Sequence, residues 1–167
     1  MKKFNIMCYI TKLIGKTPIP PFYFYSGKVS GYMTWALFAL SVSGIFTISR
    51  LPAGLPRLLS YILFVTGLLV IIISSFNLGG STRLGLPAEK TAFRSDGLYR
   101  FSRNPMYIGF GLLTVSSVIY HGNLFIAIPG MYSIIIYHYI ILGEEKFLKQ
   151  RFGKKYMAYK KKVRRYI

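Results

Sequence analysis

Only 4 acidic side chains stand against 22 lysines and arginines in the 167 residues, so each carboxylate can be weighed separately. Glu89 and Asp96 lie in a central stretch, whereas Glu144 and Glu145 are adjacent and follow a long uncharged run. Neighbouring carboxylates at the C-terminal end of an apolar helix repel each other and sit where the macrodipole disfavours negative charge. Something cationic must offset them. Lys146, Lys149 or nearby arginines would do so on the plain reading, a cationic ligand on the sharper one. The second constellation is Gly97-Leu98-Tyr99-Arg100-Phe101-Ser102-Arg103-Asn104-Pro105-Met106-Tyr107-Ile108-Gly109. Asn104 is a favoured N-cap residue and Pro105 a favoured first helical residue. The unpaired N–H groups of such a terminus attract anions, and Arg100 and Arg103 add positive charge. Capping alone explains Asn-Pro. Combined with Glu144-Glu145, it suggests a ligand carrying both a carboxylate and a cationic group.

The elements that must position these residues follow from where charge is missing. Lys, Arg, Asp and Glu are absent from Gly31 to Ser49, from Leu58 to Asn77 and on to Thr82, and from Pro105 to Gly143. About 20 apolar helical residues cross a hydrocarbon core of roughly 30 Å, so the first two stretches are one span each. The third divides at Tyr120-His121-Gly122-Asn123 into a helical hairpin, Pro105 to Tyr120 and Leu124 to Gly143. Pro129-Gly130 should kink the last span or delay its start. The expectation is an all-α polytopic membrane protein of about four transmembrane helices, with a basic amphipathic helix following. That helix, Lys146 to Ile167, spaces Phe147, Leu148, Phe152, Tyr156, Tyr159 and Val163 among lysines, is interrupted by Gly153, and should lie on anionic headgroups.

Charge also orients the chain. Five lysines lie before the first span, five basic residues lie in the central loop, and ten follow Gly143, whereas the first connection has only Arg50 and Arg57 and the hairpin turn has none. The positive-inside rule then puts both termini and the central loop on the cytoplasmic side. Hydrophobic residues make up 53% and mean hydropathy is +0.42, which argues against a nucleic-acid binder. The net charge of +18 is accounted for by membrane flanks. Lysines interrupt the apolar residues of Met1 to Lys16, which argues against a secretory signal peptide. Pro18 to Tyr25 reads as an aromatic interfacial stretch. Cys8 is the single cysteine, so no internal disulfide forms. His138 lies on one helix face with Glu145, and its plainest role is an interhelical hydrogen bond. Gly109, Gly111 and Ser116-Ser117 should permit close helix contact.

The ordered set of Gly-x-Tyr, Arg-Asn-Pro-Met-Tyr-x-Gly, an apolar hairpin, Glu144-Glu145, and then Leu148, Phe152-Gly153, Tyr156, Tyr159 and Val163 resembles the isoprenylcysteine carboxyl methyltransferases. It resembles equally their wider superfamily, which includes phospholipid N-methyltransferases. The resemblance covers roughly Thr91 to Val163. The first half matches only in being hydrophobic; with the spans read above, the expected organisation is a single methyltransferase domain over residues 1–167, with an interfacial segment 1–30, two spans in 31–82 and a catalytic region 83–167. The resemblance implies the methyltransferase activity. It also implies S-adenosylmethionine as cofactor, no metal, and methyl transfer to a lipid-like or isoprenyl-type acceptor by in-line displacement at the cytoplasmic membrane surface. Position by position, Thr91, Ala92, Phe93, Arg94, Tyr99, Asn104, Pro105, Met106, Tyr107 and Glu144 match cofactor-contacting positions. Arg103 and Glu145 are assigned to the catalytic site, Glu145 orienting basic loop residues or the substrate, and Arg100 to substrate binding.

Two departures bear on the acceptor. Asn104 stands where many isoprenylcysteine enzymes have histidine, and Ile140 stands where they place an arginine that holds the substrate carboxylate. The acceptor class therefore stays open among a phospholipid amine, a small hydrophobic thiol and an acid. Two other functions are compatible with parts of the sequence: a related membrane reductase using a nicotinamide cofactor, and a non-enzymatic membrane adaptor with a basic lipid-binding tail. The adaptor leaves the ordered motif unexplained.

Overall fold

A computed structural model describes residues 17–46, 53–79 and 93–167, and every regular element among them is helical. Helix α1 spans Pro21–Val42, α2 Leu55–Leu78, α3 Pro105–His121 and α4 Leu124–Lys162; a 3-10 turn, Gly97–Arg100, precedes α3. The α3–α4 hairpin turns where the sequence places it. Gly122 adopts the left-handed conformation and its N–H bonds to the Val118 carbonyl at 2.9 Å. Asn123 then caps α4, accepting from the Phe125 N–H at 2.9 Å.

Helix α2 shows which solvent the fold is built for. Its buried residues are Ser60, Gly67 and Ser74, spaced by two helical turns along one stripe. Leu58, Ile62, Leu69 and Phe76 are exposed on the remaining surface. Helices packing in lipid put small residues at their contacts and leave large apolar ones outside. Two of the four helices, α2 and α4, are long and apolar enough to cross a membrane, with mean hydropathies of 2.4 and 1.8 over their most apolar windows. At about 1.5 Å per residue, the 39 residues of α4 extend far beyond a core of roughly 30 Å. Its apolar run, Leu124 to Gly143, is long enough to fill such a core, and Glu144 is the first residue past that run.

Small residues set the packing. A Cβ on Gly109 would lie 2.8 Å from the Gly67 carbonyl oxygen, and one on Gly67 would lie 2.9 Å from that of Gly109, so backbones of α2 and α3 touch there. Gly111, also expected at a contact, meets nothing within 4 Å. Hydroxyls pin this and two other interfaces: Ser116 donates to the Ser60 carbonyl and Ser117 to that of Thr34, both at 2.7 Å, and Ser30 donates to that of Pro129 at 2.8 Å.

Three boundaries differ from expectation. Helix α1 begins at Pro21, within the stretch expected to lie flat at the interface, because proline is pre-set for the first helical turn; it ends at Val42, near Gly44 at φ 76. Helix α4 starts at Leu124 and stays helical through Pro129. The break lies at Gly153, φ 47 and ψ −120. The basic C-terminal segment is thus helical on both sides of a kink at Gly153, where the sequence places the interruption, and it stops at Lys162, where Val163 turns extended.

Candidate functional site

The extended C-terminal tail folds back onto the entrance of α3. The Arg103 N–H bonds to the Arg164 carbonyl at 2.9 Å. The Arg165 carbonyl accepts from both Ser102 Oγ and Asn104 Nδ2, each at 3.1 Å. Asn104 therefore occupies the N-cap position of α3 without capping it by its side chain; its amide holds the tail instead. One layer out, Tyr159 donates to the Tyr99 carbonyl at 2.6 Å. Phe93 packs against Phe152 and Tyr159, with ring centroids 5.2 and 5.3 Å away.

The two glutamates part company here. Successive helical residues diverge by about 100°, and Glu145 turns to the tail. Arg103 Nη2 donates to its Oε1 at 2.8 Å, Arg165 Nε to the same oxygen at 2.9 Å, and Arg165 Nη2 to Oε2 at 3.1 Å. The Arg103 and Glu145 side chains are 7% and 8% exposed. Arg103 also donates to the Val163 carbonyl at 2.8 Å. Burial pushes the Glu145 carboxyl up, but the hydrogen bonds from Arg165 and Arg103 outweigh it and hold the group below the usual carboxylate range.

Glu144 lacks such a fork. The Tyr107 hydroxyl donates to its Oε1 at 2.7 Å, and the residue is half-buried. Burial pushes its carboxyl up to about 7, opposed by the Tyr107 bond and by the charge of Lys28. Tyr99, buried nearby, is raised by burial and by the field of Glu144. The Tyr107 ring lies 5.8 Å from those of Phe110 and Tyr137. A carboxylate that has no guanidinium partner among the described residues and is held by a tyrosine hydroxyl is suited to a cationic ligand.

The structure thus brings together Tyr99, Asn104, Pro105, Tyr107 and Glu144 around the α3 entrance, and joins Arg103 to Glu145. Met106 follows on the first turn of α3, half-buried. Arg94 and Arg100 are exposed, and Thr91 and Ala92 lie outside the described residues. Ile140 is fully buried and packs with Phe24. His138 bonds not to another helix but to the tail, its Nδ1 2.7 Å from the Tyr166 hydroxyl. Sequence reasoning missed Arg165 and Lys28. Arg165 was one basic residue among many, and Lys28 carried only the signal of a lysine bordering an apolar run.

The fold and site define a helical, membrane-associated protein whose C-terminal tail packs over the α3 entrance and pairs with one of two adjacent glutamates. Residues 55–155 match the phospholipid methyltransferase family, and the chain belongs to that family. The match runs from the start of α2 to just past the Gly153 kink of α4 and includes both glutamates and the Asn104-Pro105 entrance. It makes the protein a methyltransferase of lipid-like substrates and bears out the resemblance read from the motif. No curated protein and no solved structure matches the chain.

Proposed function

We propose that the protein transfers a methyl group from S-adenosylmethionine to a phospholipid acceptor at the cytoplasmic face of the membrane, with α1 to α4 crossing it four times in all. The observation that carries this is Glu144, a half-buried residue at the α3 entrance whose carboxylate accepts from the Tyr107 hydroxyl and takes no guanidinium fork among the described residues. When bound, S-adenosylmethionine supplies a methyl group activated by its positive sulfur. Glu144 and the Tyr107 ring would hold the cofactor's cationic groups, and Tyr99, with the Asn104 to Tyr107 turn, would hold its remainder, joined by the loop from Thr91 to Arg94. Arg103 and Glu145 act by positioning: they fix the α3 entrance against α4. Their contribution is orientation, which intramolecular reactions show to be worth several kcal/mol (~7 in favourable cases). The tail and Tyr159 exclude water from the α3 entrance, while the basic residues of the C-terminal segment rest on anionic headgroups.

Equilibrium binding of S-adenosylmethionine to the purified protein in detergent tests this. Wild type binds, and Glu144→Gln weakens binding by about tenfold or more, the worth of a charge-assisted hydrogen bond. Absence of wild-type binding overturns the cofactor, and undiminished binding by Glu144→Gln overturns the site.

A further inference from the structure

The tail is fastened to α4 a second time, one residue beyond the Arg165 fork. The Tyr166 hydroxyl lies 2.7 Å from Nδ1 of His138, and the two rings stack at 30° with centroids 6.2 Å apart. His138 and Glu145 are seven residues apart, which puts them on one face of α4, two turns and about 10 Å apart along its axis. Arg165 and Tyr166 therefore grip the same face at two heights. Between these grips and α3 the tail offers the carbonyls that hold the Arg103 N–H, Ser102 Oγ and Asn104 Nδ2.

The two grips differ in what drives them. Arg165 is drawn to a charge, whereas His138 lies within the apolar run Leu124 to Gly143, where a ring nitrogen with no hydrogen-bond partner is costly. His138 is half-buried and Tyr166 is 39% exposed, so the pair lies at the surface of the described helices, open to the surrounding lipid. Water would replace the Tyr166 hydroxyl at little cost, but hydrocarbon cannot. Tyrosine suits that depth, with an apolar ring and one hydroxyl.

We infer that Tyr166 and His138 form a clasp, held shut by the apolar surroundings of His138, which positions the tail across the α3 entrance and slows release of the methyl donor. Both are positioning residues, acting through the tail on Arg103 and Asn104. The inference takes its donor and the depth of α4 from the methyltransferase reading above, but the clasp is tested without cofactor.

The experiment uses the full chain in phospholipid nanodiscs and follows hydrogen exchange of the Arg103 N–H, which bonds directly to the tail. Tyr166→Phe and His138→Phe each leave one polar partner alone and quicken that exchange about fivefold. The double variant replaces both partners by apolar rings and returns to within about twofold of wild type, as expected where the cost lies in an unpaired group. Amides in the middle of α3 exchange as in wild type throughout. Release of S-adenosylmethionine follows the same order, with kcat at saturating donor nearly constant. Should His138→Phe not fold, His138→Leu takes its place. Unchanged exchange in both single variants, a double variant as fast as the singles, quickening shared equally by all of α3, or donor release indifferent to the opened tail each overturns the inference. A clasp that behaves as expected in a wild type that binds no S-adenosylmethionine refutes the methyltransferase reading alone.

Discussion

Arg165 closes a fork on Glu145, with its Nε 2.9 Å from Oε1 and its Nη2 3.1 Å from Oε2, while Arg103 shares Oε1 from the other side at 2.8 Å. One carboxylate thereby ties the entrance of α3, the shaft of α4 and the end of the tail into a single unit. Removing one member of a buried pair is costly because the other charge is left without its counter-ion.

Glu145→Gln should therefore destabilise the protein by about 3 kcal/mol, leaving Arg103 buried without a carboxylate. Arg165 is 31% exposed, so Arg165→Met should cost only about 1 kcal/mol. Denaturant unfolding in mixed micelles measures both, and an Arg165 variant as damaged as the Glu145 variant would contradict this ranking. The pH dependence follows from the lowered Glu145 pKa. Its contribution is full above the ordinary value of 4.5 and is lost as pH falls through the lower folded value.

The difference between the two glutamates also marks what could be read from the sequence. Uncharged runs exposed the helices, and Gly122-Asn123 exposed the hairpin, because both signals are local. Glu144-Glu145 stood out as a pair in need of cations. Which one takes a fork depends on Arg165, 20 residues away, and on a return of the chain after Gly153. Periodicity read the tail as a helix lying on the membrane, since Tyr156, Tyr159 and Val163 have helical spacing. In the fold Tyr156 and Val163 are buried and Tyr159 holds Tyr99, so the same spacing serves the site. The burial of Lys28 was illegible because nothing local distinguishes a lysine that flanks a span from one packed over an aromatic ring.

The contact between Gly67 and Gly109 is a test of helix packing. Gly109→Ala puts a methyl group 2.8 Å from a backbone oxygen that has no rotamer to escape by. It should cost about 2 kcal/mol, since overpacking outweighs the gain of about 1 kcal/mol in helix propensity. Gly111→Ala meets nothing within 4 Å and should be neutral or slightly stabilising. Thermal unfolding of the two variants under one condition decides the matter, and equal effects would show that α2 and α3 do not touch at Gly109.

Gly153 tests the return of the tail. Its φ of 47 and ψ of −120 are open to glycine but strained for L-residues, although no neighbour lies within 4 Å of a Cβ built there. Gly153→Ala should cost about 1–3 kcal/mol through backbone conformation alone. Part of that strain should be relieved by straightening α4, which would draw Arg165 away from Glu145. Limited proteolysis should then cut after the lysines of 160–162 faster than in wild type. An unchanged cutting rate would mean that the tail docks without the break.

Glu144 supplies the pH test of the site. Its carboxyl is raised by burial to about 7, against an ordinary value of 4.5. In the unliganded protein, ionising it is harder than in the unfolded chain. Its stabilising contribution is therefore fully present below 4.5 and is lost as pH rises through about 7. A cationic ligand pairs with the carboxylate and displaces the proton, so affinity for S-adenosylmethionine should climb by up to about tenfold per pH unit below pH 7 and flatten above it. Glu144→Gln removes the titrating group. It should abolish that slope, lower the affinity at neutral pH and raise the unfolding temperature of the unliganded protein at pH 8, as expected where a site is kept at the expense of stability. Calorimetric titration from pH 5.5 to 8.5, in buffers of different ionisation enthalpy, counts the proton released in wild type. The same slope and the same proton count in the variant would assign the titration to another group and remove Glu144 from the cofactor site.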